Sequence, residues 1–382
     1  MLIPGPAPAA AIGTDGFGPT TAQDQTTKDQ TMTLSRTLRT LAATAAAGLA
    51  LTGCGNADTA GEEAPSTAAG GSGTVITYNS PTEWGNFGEV LAAFSEETGI
   101  SAPNDPKNSG QTLAALQAEA ASPVADSAYV GIAFADQLVQ ADLLSAYTPE
   151  GVESIDEDLR DPEGRWHTLH TGAVAFIVNK DHLGDAEVPR TWEDLTKPEY
   201  RGKVGYLDPT QAAVGYSVAT AANEAMGGDL DDWGPGLEYL GRLKDNGAVT
   251  PAQTATALVG QGEIPILIDT DFNGYKLQEE GIDVEVVIPE EGSLLIPYVV
   301  GIVNGAPNRD NAEELLDFYF SEQGQQLFAR GFMRPVIGSI PEDMAAKMLP
   351  DTDYQRARTV DYVKQGAVQE DFIAAFTTEV GR

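Results

Sequence analysis

Short apolar runs alternate with segments of helical periodicity along most of the chain. Residues 74–79 form a β-branched run, and Phe87, Val90, Leu91 and Phe94 follow at the spacing of one helix face. The same alternation predicts further strands at 128–132, 173–179, 204–207, 264–268, 284–288 and 298–303. It predicts further helices at 134–144, 213–225, 237–244 and 312–320. Strands that alternate with helices indicate an α/β fold with mainly parallel sheets covered on both faces.

The amino-terminal region carries an export pattern that ends at Cys54, the only cysteine. Arg36 and Arg39 precede the uncharged stretch 41–51, which is shorter than the roughly 20 apolar residues that span a bilayer. The string Leu51-Thr52-Gly53-Cys54 resembles the bacterial lipoprotein box, whose cysteine is acylated and becomes the first mature residue. We therefore expect a lipid anchor at Cys54 that holds the exported protein on the outer face of the cell membrane.

Composition divides the rest of the amino-terminal region. Residues 1–31 precede Met32 and have no apolar periodicity, so we interpret them as lying upstream of the true start or as a disordered extension. Residues 32–53 then form the signal peptide. After Cys54, residues 55–73 consist of Gly, Ala, Ser, Thr, Asn, Asp, Glu and one Pro, which predicts that residues 54–73 form a flexible tether.

The formal charge of the chain is −35. Three acidic and three basic residues cancel within 1–53, so this charge belongs to the mature protein. A polyanion would be repelled by such a surface, and no basic stripe with interleaved aromatic residues is present, so nucleic acid is excluded as a partner.

Four strings carry a resemblance to a known family. They are TYNSPTEWGNFGEVLAAFSEETGI, RTWEDLTKPEYRGKVGYLDPT, GEIPILIDTDFNGYK and IPYVVGIVNGAPNRDNAEELLDFYFSEQGQQLFA. The chain resembles the solute-binding proteins of ABC importers, in the branch that holds ferric-iron and spermidine/putrescine binders. The resemblance implies a type II periplasmic-binding-protein fold, with two lobes that close over a solute and dock on a membrane permease.

By the same resemblance, the chain crosses between the lobes near His170-Thr171 and again near Pro297-Tyr298. Lobe one then comprises 74–171 and 298–382, with the carboxyl-terminal helices in its second part, and lobe two comprises 172–297. We expect a monomer without a cofactor, whose partners are a small-molecule solute, an ABC permease and the membrane surface.

The loops that face the predicted cleft supply the candidate ligand-binding residues: Ser80, Glu83, Trp84, Asn108, Ser109, Asp208, Thr210, Tyr216, Asp269, Asp271, Phe272, Tyr275 and Tyr298. Their carboxylates and flat aromatic rings suit an amine through charge-assisted hydrogen bonds and cation–π contacts. We therefore predict a polyamine-like cation as the solute, with Asp269 and Asp271 as its main contacts.

Two other solutes remain open. Ferric iron favours phenolate and carboxylate oxygens, but the iron binders of this branch carry adjacent tyrosines where this chain has Asp269-Thr270-Asp271-Phe272. An organic anion such as a phosphonate is the other alternative, because two helix starts face the predicted cleft and their N–H groups attract negative charge.

The segment from Asp269 to Glu280 also satisfies the calcium-loop pattern D-x-[DN]-x-[DN]-G-x₅-E. The motif requires an entering helix, whereas a predicted strand containing Pro265 precedes Asp269. The context therefore argues against a calcium site, although the string leaves the question open.

Two other classes of function are less well supported. An exported enzyme would depend on His167 and His170, which stand three apart on a predicted strand and so face opposite sides. The chain lacks G-x-S-x-G, P-loop and H-E-x-x-H motifs. A scaffold or adhesin would need internal repeats, and we find none.

Overall fold

The computed structural model describes residues 73–251 and 255–381. The predicted signal peptide, Cys54 and nearly all of the predicted tether therefore lie outside the described residues.

The described residues contain ten strands and thirteen α-helices. The strands are β1 (Thr77–Tyr78), β2 (Ser127–Gly131), β3 (Leu144–Ser145), β4 (His167–Asn179), β5 (Val204–Tyr206), β6 (Ile266–Thr270), β7 (Val284–Val287), β8 (Ser293–Val303), β9 (Arg334–Pro335) and β10 (Ala357–Arg358). The helices are α1 (Phe87–Thr98), α2 (Ser109–Glu119), α3 (Ala135–Gln140), α4 (Ala213–Ala225), α5 (Gly234–Asp245), α6 (Thr256–Gln261), α7 (Asp271–Glu279), α8 (Arg309–Phe320), α9 (Glu322–Arg330), α10 (Glu342–Ala345), α11 (Asp351–Tyr354), α12 (Tyr362–Ala367) and α13 (Gln369–Glu379).

Two long antiparallel strands, β4 and β8, connect the two halves of the sheet. The main strand order is β1-β2-β8-β4-β6-β5. One part of β4 pairs with β8 and with the short β9, and its second part pairs with β6 and β7. We call the part built on β1, β2 and β3 the first lobe and the part built on β5, β6 and β7 the second lobe.

The predicted crossing points lie side by side in the sheet. His170 pairs with Tyr298 and Thr171 pairs with Pro297, and β4 takes up β6 as a partner from Val174 onwards. This exchange of partners joins the two lobes through continuous strands. The residue boundaries of the lobes given above stay a prediction.

Local sequence signals explain several elements. Helix α4 has the predicted bounds 213–225. The capping pattern at Thr191 and Asp194 forms as predicted, since each backbone N–H donates to the side chain of the other residue. The predicted helix at 134–144 is shorter than expected, because α3 ends at Gln140 and β3 begins at Leu144.

The carboxyl-terminal segment, residues 350–381, contacts both lobes. Strand β10 pairs with the start of β8. In α12, the backbone carbonyl of Gln365 accepts a hydrogen bond from the Tyr216 hydroxyl of α4, at 2.7 Å. Gln369 of α13 accepts a hydrogen bond from Gln137 of α3. These contacts place the segment across both lobes, whereas the resemblance implied that it belongs with lobe one.

None of the helices in the described ranges has the length and apolar character required to cross a bilayer.

Candidate functional site

A small cavity of about 50 Å³ lies between the two lobes. The first lobe contributes the loop after β1, the start of α2 and the end of β2, and the second lobe contributes the start of α4. The lining residues are Ser80, Pro81, Trp84, Lys107, Asn108, Ser109, Tyr129, Gly131, Leu207, Ala212, Ala213, Val214 and Tyr298. A volume of this size accommodates a few water-sized groups and so suits a compact solute.

The start of α4 offers unpaired donors to this cavity. The residue before the helix is Ala212, which has an extended backbone and no side chain that could accept a hydrogen bond. The N–H groups of Ala213, Val214 and Gly215 have no acceptor among the described residues. Because these groups lie at the positive end of a 13-residue helix, they form a ready site for an anion.

The start of α2 faces the same cavity but is capped internally. The Asn108 side chain accepts from Gln111 N–H at 2.8 Å, and the Gln111 side chain accepts from Asn108 N–H at 3.0 Å. Ser109 Oγ accepts the N–H of Gly131 at 3.1 Å. That bond uses an oxygen lone pair and leaves the Ser109 hydroxyl hydrogen to donate to a solute.

One cationic side chain lines the cavity. Lys107 Nζ lies 2.6 Å from Asp105 Oδ2 and 4.0 Å from the ring centroid of Tyr78. The Lys107 side chain is 17% exposed, whereas that of Asp105 is 55% exposed and does not line the cavity. Lys107 therefore brings an ammonium group, paired with Asp105, to the first-lobe side of a cavity whose second-lobe side carries the unpaired N–H groups.

Aromatic side chains form another wall. Tyr129 and Tyr298 stack with 5.6 Å between ring centroids, and Trp84 Nε1 donates to the Tyr129 hydroxyl at 3.4 Å. Behind this wall, His170 Nε2 lies 2.9 Å from the Tyr129 hydroxyl. Burial lowers the pKa of His170 to about 3, so this imidazole is neutral and contributes no charge.

Asp269 and Asp271 do not line the cavity. Both side chains are fully buried. Asp269 accepts a hydrogen bond from Thr270 N–H at 2.7 Å. Asp271 accepts from Ala173 N–H at 2.8 Å and from the Tyr354 hydroxyl at 2.7 Å. The structure therefore places both carboxylates in the interior, where they contact backbone and tyrosine.

The remaining predicted residues divide between the surface and the interior. Glu83 is exposed. Asp208 accepts from the backbone and hydroxyl of Thr210, and so organises the turn before α4. Buried Tyr216 bonds to the carboxyl-terminal segment.

Phe272 and Tyr275 also lie inside the protein. Phe272 packs edge-on against Trp84 at 4.9 Å, and the Tyr275 hydroxyl lies 2.7 Å from that of Tyr354. Of the 13 predicted ligand-binding residues, five line the cavity: Ser80, Trp84, Asn108, Ser109 and Tyr298.

The segment that satisfies the calcium-loop pattern folds mainly as a helix. Asp269 and Thr270 are the last two residues of β6, and α7 begins at Asp271. A calcium loop must curl around its ion, whereas the side chains of Asp269 and Asp271 have separate hydrogen-bond partners here. Within the described ranges, no group of three or more histidine, cysteine, aspartate or glutamate side chains is arranged to hold a metal.

Sequence reasoning missed several residues of the site: Lys107, Tyr129, Gly131 and the start of α4 at 212–214. The available sequence signal for α4 was its start at Ala212-Ala213, which follows Asp208-Pro209-Thr210-Gln211. A helix predicted to begin without Ser, Thr, Asp or Asn at its first position exposes uncapped N–H groups.

Asp269 provides a stability test. Burial raises its pKa from 3.8 to about 7. The folded protein therefore retains a proton that the unfolded chain has released, and this carboxyl lowers stability as pH rises between these two pKa values. We expect Asp269→Asn to gain stability relative to wild type across this range, by up to about 4 kcal/mol. Urea unfolding from pH 4 to pH 8 measures the difference, and a constant difference would contradict the prediction.

The comparisons with known proteins agree with this architecture. A family model described as bacterial extracellular solute-binding protein matches residues 122–365. The chain belongs to this family. A relative from Salmonella paratyphi A, whose name proposes 2-aminoethylphosphonate binding in the periplasm, is 29% identical over 240 residues, which cover 61% of this chain and 68% of the relative. Iron uptake protein A2 of Synechocystis is 29% identical over 207 residues, 50% of this chain and 58% of the relative.

Other similar proteins are named for different solutes. The spermidine/putrescine-binding periplasmic protein of Escherichia coli is 22% identical over 298 residues, which cover 75% of this chain and 84% of that relative. The structure of AfuA from Actinobacillus pleuropneumoniae with fructose-6-phosphate superposes with a TM-score of 0.72 at 23% identity, covering 81% of this chain and 99% of AfuA. These findings confirm the two-lobed α/β fold and the predicted family. The protein is a solute-binding protein of an ABC importer.

Proposed function

We propose that this solute-binding protein captures a small phosphonate- or phosphate-type anion between its lobes. The observation that carries the proposal is the uncapped start of α4, where Ala213 and Val214 line the interlobe cavity and their N–H groups have no acceptor among the described residues. A bound oxyanion accepts these hydrogen bonds and interacts favourably with the helix dipole. The Ser109 hydroxyl and the Lys107 ammonium supply further donors from the first lobe.

The aromatic wall makes an aminoalkylphosphonate the preferred form of this anion. Trp84, Tyr129 and Tyr298 present ring surfaces at the same cavity, and aromatic faces attract an ammonium group. A zwitterion such as 2-aminoethylphosphonate would place its phosphonate at the helix starts and its ammonium against the rings. The relative named for 2-aminoethylphosphonate supports this choice.

The lining offers less to the polyamine-like cation that the sequence predicted. Among the residues that the structure describes, no aspartate or glutamate lines the cavity, and Lys107 brings an ammonium group there that is paired with Asp105. A bound polyamine would therefore lack a carboxylate partner and would meet both an ammonium and a helix amino terminus. Ferric iron is also poorly matched, since it favours several anionic oxygens.

We also propose that lipidated Cys54 anchors the protein at the outer face of the membrane as a monomer. The tether at 54–73 would then let the two lobes move while they deliver solute to the permease. Metabolic labelling with a palmitate analogue, compared between wild type and Cys54→Ser, tests the anchor.

A binding screen tests the proposed solute. Isothermal titration of the purified protein with 2-aminoethylphosphonate, methylphosphonate, phosphate, spermidine and ferric citrate should give heats of binding with the phosphonates. We expect 2-aminoethylphosphonate to bind more tightly than methylphosphonate, because only the former carries the ammonium group. Binding of spermidine without binding of any phosphonate would contradict the proposal.

A further inference from the structure

Two glycines of the first lobe lie directly against the start of α4. Gly110 is the second residue of α2, and its N–H donates to the backbone carbonyl of Gln211 at 3.0 Å. Gly131 ends β2, and its N–H donates to Ser109 Oγ. Gln211 and Ala213 flank Ala212, so both glycines contact the segment that carries the anion-binding N–H groups.

Neither position leaves room for a side chain. A Cβ at Gly110 would lie 2.7 Å from the Gln211 carbonyl oxygen, and a Cβ at Gly131 would lie 2.4 Å from Ala213 Cβ. Atoms at such distances overlap, so one lobe would have to move away from the other. In both cases the obstructing atom belongs to the opposite lobe.

Backbone conformation does not require glycine at these positions. Gly131 has φ −68° and ψ 146°, which any residue adopts, and Gly110 lies within a helix. Alanine is the better helix former, and replacing glycine also reduces the entropy of the unfolded chain. The two glycines therefore make the first lobe less stable than alanines would. What they provide is room for the close approach of α4.

We infer that Gly110 and Gly131 set how closely the two helix starts approach, and so limit the captured solute to a compact molecule. The inference rests on the proposed function, in which the solute lies between these helix starts. It adds two specificity-determining residues. Gly131 lines the cavity, whereas Gly110 does not and so acts without contact with the solute.

The test compares Gly110→Ala and Gly131→Ala with a matched control, Gly241→Ala in α5. Nothing lies within 4 Å of a Cβ built at Gly241. We expect 2-aminoethylphosphonate to bind Gly110→Ala and Gly131→Ala about ten- to hundredfold more weakly than wild type. The control should bind as wild type does. We expect the variants to relieve the clash by separating the lobes, so thermal unfolding without solute should show all three at least as stable as wild type.

A compensating change sharpens the test. In the double variant Gly131→Ala with Ala213→Gly, the methyl group moves from one lobe to the other, and the distance of 2.4 Å between the two Cβ atoms no longer arises. We expect most of the lost affinity to return. A Gly110→Ala variant that binds as tightly as wild type, or a double variant no tighter than Gly131→Ala, would overturn the inference.

A direct measurement of closure separates this inference from the proposed solute. Spin labels at Glu89→Cys in α1 and Glu238→Cys in α5, both exposed sites, report the interlobe distance after Cys54→Ser. Distances are recorded without solute and with 2-aminoethylphosphonate, phosphate and spermidine in turn. If only spermidine closes the wild type, the proposed anion is wrong. The glycine inference is then judged by whether the alanine variants stop short of the wild-type distance with spermidine, and full closure would overturn it.

Discussion

Ala212→Asp is expected to abolish phosphonate binding while making the free protein more stable. Residue 212 precedes the first turn of α4, has an extended backbone and lines the cavity. An aspartate there would cap the N–H groups of the first turn, which favours folding by about 1 kcal/mol over alanine. The same carboxylate would occupy the donors meant for the solute and repel its negative charge, so we expect at least about a hundredfold loss of affinity.

Two matched variants separate the effects in Ala212→Asp. Ala212→Asn caps the helix without adding charge, so it should gain similar stability and lose less affinity. Ala212→Gly supplies no capping side chain and should bind phosphonate almost as wild type does. Titration with 2-aminoethylphosphonate and urea unfolding without solute measure the two quantities. Undiminished binding of 2-aminoethylphosphonate by Ala212→Asp would contradict an anionic solute at this helix start.

The sequence predicted the two-lobed α/β fold, but its prediction of mainly parallel sheets was wrong, because most strand pairs are antiparallel. Residues of the first-lobe loops, such as Trp84 and Ser109, follow directly from predicted strands and helices, and both line the cavity. The crossing residues His170 and Tyr298 pair in the sheet. These features depend on local periodicity and on the resemblance to the family, which one sequence contains.

For the predicted ligand residues of the second lobe, local sequence patterns did not reveal which side chains they contact. Asp271 begins a helix directly after a buried strand, and that position favours a cleft-facing carboxylate in a parallel sheet. Its actual partners are Ala173 in the neighbouring crossing strand and Tyr354 in the carboxyl-terminal segment. Tyr216 likewise stacks on Trp233 and packs against Phe372 of α13. Tyr354 and Phe372 lie far along the chain from Asp271 and Tyr216, so local sequence patterns did not show that these two side chains are buried.

The strongest test of this interior assignment is Asp271→Ala, for which we expect a large loss of stability. Burial raises the pKa of Asp271, and its carboxylate still receives the N–H of Ala173 and the hydroxyl of Tyr354. Arg334 stacks above the Tyr354 ring at 3.4 Å from its centroid and lowers the cost of the buried negative charge. Removing the carboxylate leaves buried donors unpaired, which costs about 2–5 kcal/mol.

Conservative variants show whether Asp271 has a structural or a solute-binding role. Asp271→Asn keeps an acceptor, and Tyr354→Phe removes one donor to Asp271, so each should cost about 1–3 kcal/mol in urea unfolding. Because the two side chains share one hydrogen bond, the double variant should lose less than the sum of the single losses. Folded Asp271→Asn should bind 2-aminoethylphosphonate within a few-fold of wild type, because the carboxylate lies outside the cavity. If this variant kept wild-type stability and yet lost its affinity, Asp271 would belong to the solute site, as its position in the sequence first indicated.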